Sequence, residues 1–98
     1  MFWAKVFQTK NDLLLAVCDE DLIEKEIRLK THKVKISRNF YGGMLISEKI
    51  ALILMKKATI GNLIGKEIIK IAVENGFIAD ENIILINGTP HAQYVKII

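Results

Sequence analysis

Hydrophobic and polar positions alternate in several registers along the chain, and each change of register marks an element. Phe2 to Phe7 (FWAKVF) is rich in aromatic and β-favouring residues, and Leu13 to Cys18 (LLLAVC) is apolar throughout. The polar segment Gln8 to Asp12 between them predicts a β-hairpin. A run without polar alternation predicts a strand covered on both faces. Asp19 to Glu26 is acidic, with Leu22 and Ile23 as its strong apolar anchors, enough for one or two helical turns. Ile27 to Lys30 and Lys33 to Ser37 then follow period two, with Ile27, Leu29, Val34 and Ile36 on one side. Arg28, Lys30, Lys33 and Lys35 fall on the other. A two-residue turn at Thr31-His32 sets Lys30 opposite Lys33 and Arg28 opposite Lys35.

The period then lengthens. Phe40-Tyr41-Gly42-Gly43 predicts a sharp change of direction, because glycine reaches positive φ freely. Ser47 is placed to cap a helix running to about Lys57, and its apolar block Ile50 to Met55 predicts deep burial. Ile60, Ile64, Ile68 and Ile71 form a stripe at 100° per residue, predicting a longer helix from Thr59 to Asn75 ended by Gly76. Ile83 to Ile86 and Gln93 to Ile97 read as closing strands around the 87–92 turn. Strands at both ends of a helical middle predict an α+β fold. It is a single compact domain over residues 1–98, mainly antiparallel, with two helices between the N-terminal and C-terminal strands.

Composition narrows the class. The chain has 98 residues, 51% apolar and 26% charged, with a formal charge of +3. That is globular material for one core. A lone Cys18 forms no internal disulfide, and no Cys/His set has zinc spacing, so neither metal nor cofactor is expected. No apolar run exceeds six residues, the length of Ile50 to Met55, against the roughly 18–20 that span a bilayer. The expectation is a cytoplasmic protein without a secretory signal or membrane partner. Seventeen isoleucines and twelve lysines against two arginines lean towards a thermophilic source.

Three places carry candidate chemistry. Lys25 to Arg38 holds Lys25, Arg28, Lys30, Lys33, Lys35 and Arg38 against one acid, Glu26. Like charges facing each other weaken a hairpin, so their retention fits a field used to attract phosphate, or simply a solvated outer face. Gly61 and Gly65, placed on the long helix, fit either close packing or an anion site at Thr59, Gly61 and Asn62. Gly88 to Gln93 contains Pro90, which would display His91 as a stacking group, hydrogen-bonding group or general acid. No serine, cysteine or carboxylate stands beside His91 in sequence, and no catalytic set is assigned. Cys18 reads as a small core residue, and Trp3, which shares a face with Lys5, as a candidate stacking platform.

Phe40-Tyr41-Gly42-Gly43, the segment Ala58 to Glu67 (ATIGNLIGKE) and Asn87 to Gln93 (NGTPHAQ), with Ala16 to Glu20, occur together and in order. In this the chain resembles the small archaeal domain-of-unknown-function family 424 over essentially its whole length. The resemblance implies an archaeal, cytoplasmic origin and a compact α/β domain. It also hints at company with the translation or RNA-handling machinery, and it transfers no catalytic residue.

The leading expectation is therefore a non-enzymatic RNA- or ribosome-associated domain. Arg28, Lys30, Lys33, Lys35 and Arg38 would hold phosphates, with Tyr41, Asn62 and His91 available for stacking or hydrogen bonding. A second is a small-molecule or enzymatic site where loops 40–43, 59–62 and 88–93 meet, as a concave pocket holding Tyr41, Asn62 and His91. A third is a protein-interaction subunit, the chain being monomer or homodimer.

Overall fold

A computed structural model describes residues 1–97, the side chain of Leu29 excepted. In chain order the strands and helices are β1 (Phe2–Gln8), β2 (Leu13–Asp19), β3 (Glu26–Leu29), β4 (His32–Lys35) and α1 (Arg38–Tyr41). They continue with β5 (Met44–Ile46), α2 (Glu48–Lys57), β6 (Ile60–Ile64), α3 (Lys66–Glu74), β7 (Ile84–Ile86) and β8 (Thr89–Val95). Single 3-10 turns occupy Glu20–Leu22 and Asp80–Asn82. Six strands form one sheet in the order β5-β1-β2-β6-β8-β7, while β3 and β4 form a separate ribbon. The β2–β6 pair is parallel and every other pair antiparallel, so the α+β sheet is mixed but mainly antiparallel.

The opening hairpin follows from its sequence. Thr9 closes its turn by accepting from the Asp12 amide at 3.0 Å. Strand β2 lies inside the sheet, and Leu15 to Asp19 are all buried, as an unbroken apolar run requires. Alternation sends Phe2, Ala4, Leu15, Val17, Leu63 and Ala92 to one face, where Ala51 and Met55 of α2 and Ile68, Ile69 and Ala72 of α3 cover them. Ser47 caps α2, its hydroxyl accepting from the Ile50 amide at 3.3 Å. Only Ala51 and Met55 of α2 are fully buried, and Ile50 and Ile53 stay exposed. The expectation of deep burial fails because this helix touches the sheet along one stripe.

The helix expected over Thr59–Asn75 is instead a strand, a glycine corner and a helix. Ile60, Ile64 and Ile68 satisfy both periods, since four residues is one helical turn and also two strand repeats. Two glycines decide the matter. A Cβ on Gly61 would enter the Tyr94 ring of the neighbouring β8. Gly65 has φ +125°, outside any right-handed helix, and a Cβ there would strike the Asp19 carboxylate. Among the described residues, three helices therefore lie between the terminal strands, with β5 and β6 among them.

The closing strand also differs. The β7–β8 turn is only Asn87 (φ 49°) and Gly88 (φ 85°), the left-handed pair of a two-residue hairpin. Pro90 and His91 thus lie in β8, opposite Leu85 and Ile84, and not in a loop. The second face of the sheet is covered by α1 and the β3–β4 ribbon, with Ala16, Cys18, Ile27, Ile36, Tyr41 and Ile64 as its buried core.

Candidate functional site

The basic ribbon pairs two residues out of the expected register. Arg28 pairs with Lys33, Glu26 with Lys35 and Leu29 with His32, so the turn falls at Lys30-Thr31, where Lys30 has φ 53°. Ile27 and Ile36 are buried against the sheet, whereas Val34 is 44% exposed; the Leu29 side chain lies outside the described residues. Arg28, Lys30 and Lys33 are exposed. None of the three reaches a carboxylate within ion-pair distance among the described residues. Lys35 and Arg38 do, meeting opposite oxygens of Glu24 at 3.6 and 3.9 Å. The Arg38 guanidinium also lies over the Trp3 ring, 5.3 Å from its centre. The five cations therefore divide: three project freely, and two clamp the base of the ribbon. Glu26 lines the same shallow depression as Arg28, Lys33 and Asn87 and offsets part of their charge.

Tyr41, Asn62 and His91 come together on the sheet's second face. The Tyr41 hydroxyl donates to Asn62 Oδ1 at 2.6 Å, and His91 Nε2 lies 3.1 Å from the same oxygen. With Asn62 Oδ1 as the acceptor for both contacts, His91 carries its proton on Nε2. Tyr41 is 8% exposed, its hydroxyl pKa raised by burial, and its ring meets Phe40 edge-on at 4.9 Å. It has no open flat face for a base, so the stacking role gives way to a positioning one. Burial lowers the His91 pKa and favours the neutral ring. Tyr41, Asn62 and His91 meet through α1, β6 and β8, and not across the three loops where a pocket was expected. His91 borders a surface depression with Glu81, Asn82, Ile84, Ala92 and Gln93, which Tyr41 and Asn62 do not line.

The anion site expected at Thr59, Gly61 and Asn62 is not a helix start. Thr59 instead ties β6 to the first hairpin, donating to Asp12 Oδ1 at 3.0 Å. The true helix start, α3, already holds an anion: Asp19 accepts from the amides of Glu67 and Ile68, both at 2.9 Å. Desolvation raises the Asp19 pKa, opposed by those two hydrogen bonds. Asp19 was hidden in sequence by its acidic neighbours, since nothing local ties position 19 to position 67. The Cys18 thiol is fully buried and pushed up to about 12, chiefly by desolvation, which fits an inert core residue.

The molecule is thus an α+β domain with a mixed six-stranded sheet, two helices on one face and a cationic ribbon on the other. The chain belongs to the family described as a protein of unknown function, DUF424, whose pattern matches residues 7–97. It is similar to the crystal structure of an uncharacterized conserved protein from Methanopyrus kandleri, with a TM-score of 0.83 and 26% identity. That likeness covers 94% of this chain and 88% of the other. No curated protein matches the chain. No helix among the described residues is long and apolar enough to cross a membrane.

Proposed function

We propose that this protein is a non-enzymatic RNA-binding domain, a companion of ribosomal or other RNA particles, which grips phosphates with the β3–β4 ribbon. The observation that carries this reading is Arg28 directly opposite Lys33, with Lys30 at the adjoining turn, all exposed and without ion-pair partners among the described residues. Like charges facing across an exposed two-stranded ribbon cost stability, and a polyanion removes that cost on binding. The ribbon is also narrow enough to approach a nucleic-acid backbone from one side. Lys35 and Arg38 contribute less than the other three, because Glu24 already engages them. The family's implied archaeal origin accords with the neighbour from Methanopyrus kandleri.

The test is affinity for single-stranded RNA across a salt series. Binding should weaken as salt rises, by roughly 0.7 in log–log slope for each phosphate contact. Arg28→Ala and Lys33→Ala should each lower the slope by about that amount, while Lys35→Ala lowers it less. A slope near zero, or one untouched by both substitutions, refutes the proposal.

A further inference from the structure

We propose that Asn62 and His91 form a recognition site for an unpaired nucleobase of the strand held by the ribbon, an inference that rests on the RNA-binding reading above. Asn62 Oδ1 faces both the Tyr41 hydroxyl and His91 Nε2, an arrangement that turns the amide's NH2 away from both. The two N–H donors of Asn62 Nδ2 have no partner among the described residues. They are not buried orphans either, since every buried side-chain nitrogen and oxygen there is satisfied. They face water. His91 gives its Nε2 proton to Asn62, leaving Nδ1 as a lone-pair acceptor, also without a protein partner. The half-buried ring stays neutral, so the acceptor persists near pH 7.

A donor and an acceptor fixed on adjacent strands suit the edge of an unstacked base, which carries both. They do not suit a phosphate. The depression beside His91, about 500 Å³, is lined by Glu81, Asn82, Ile84, Ala92 and Gln93, with no cation among them. Ile84, 62% exposed and directly opposite His91, supplies an apolar surface there. The position is also right. Asn87 at the β7–β8 turn borders the depression that holds Arg28 and Lys33. From Thr89, two residues beyond it, to His91 is roughly 7 Å of extended chain. One strand can thus rest its phosphates on the ribbon and turn a base towards Asn62 and His91.

The experiment compares oligouridylate, oligocytidylate and oligoadenylate of equal length by fluorescence anisotropy at one salt concentration. The wild-type chain should favour one over the others by at least about fivefold, the low end for a paired base contact. Asn62→Asp keeps the shared oxygen and removes both donors, and His91→Phe removes the acceptor. Each should bring the preference below about twofold, a ratio that uniform charge effects leave alone, while Arg28→Ala weakens all three alike. In the wild-type chain the His91 ring resonances should shift on adding the preferred free nucleoside, a readout independent of any variant's folding. RNA binding without base preference, or a preference that survives both substitutions, overturns the base site and leaves the ribbon's role standing. No binding to any of the three overturns both.

Discussion

The two faces of the sheet are covered by different material. On one, α2 and α3 bury Met55, Ile68, Ile69, Ile71 and Ala72 against Leu15, Val17 and Leu63. This face is locked by two close approaches, Tyr94 against Gly61 and the Asp19 carboxylate against Gly65. On the other, a four-residue helix and a narrow ribbon anchor themselves through a few side chains, chiefly Ile27, Ile36 and Tyr41. That face keeps oriented polar groups and free cations. Close packing is concentrated on the first face, and exposed cations with oriented polar groups on the second.

The sharpest way to break this division is at Gly65. Gly65→Ala should lower stability by about 1.5–5 kcal/mol. Left-handed strain contributes about 1–3, and loss of the Asp19 cap on α3 about 0.5–2. Denaturant unfolding measures it; a change under about 1 kcal/mol would show that Asp19 and Gly65 are not the lock described.

Next come two buried residues of similar size. Met55→Ala and Ile36→Ala should each cost about 2–4 kcal/mol, since both side chains are buried with 2% exposure or less. Their reach should differ. Loss of Met55 should lower hydrogen-exchange protection throughout β1, β2 and β6. Loss of Ile36 should strip it first from residues 26–35, because Ile36 also ties the ribbon's base through its amide to Lys25 and its carbonyl to the Glu24 amide. Identical exchange patterns in the two variants would mean that the faces are one cooperative unit.

This division also explains what the sequence disclosed. Strands β1 and β2, the cap at Ser47 and the ribbon at 26–35 were legible because local period and capping chemistry determine them. The β6–α3 corner was not, because Ile60, Ile64 and Ile68 fit both periods. The deciding partners, Tyr94 and Asp19, lie more than thirty residues away in sequence. The ribbon's turn lies one residue earlier than expected, which moves each pairing partner by two, because Lys30, an ordinary residue, takes a left-handed turn position. Tyr41, Asn62 and His91 were expected together, but as loop residues around a pocket. Their convergence on one amide oxygen depends on β6 and β8 being neighbours, which no local pattern states.

A smaller effect follows from His91. Burial holds its pKa below the usual 6.5, so the unfolded chain binds the proton first as pH falls. Its contribution to stability is whole above about 6.5 and is lost as pH drops through the folded value. Asp19 runs the other way: its raised carboxyl contributes below the unfolded value of 3.8, and that contribution fades as pH rises through the folded value. The difference between wild type and His91→Gln removes the Asp19 effect. Between about pH 7.5 and 5, the wild-type Tm should therefore fall further than that of His91→Gln. Parallel declines would place the ring in an environment that tolerates its charge.

The smallest stability change should come from Glu24→Gln, and it bears most directly on the second face. Glu24 is 42% exposed in its side chain and joins Lys35 and Arg38 in water, so its removal should cost under about 1 kcal/mol. Arg38 keeps its place over Trp3, and the amide bonds between Glu24, Lys25 and Ile36 do not involve the side chain. What changes is the field. Two cations now balanced by one carboxylate would be released beside Arg28, Lys30 and Lys33. If the ribbon binds phosphate, affinity for RNA should rise and its salt slope should steepen towards two further contacts. An unchanged affinity with an unchanged fold would mean that these cations serve only to hold the ribbon on the sheet.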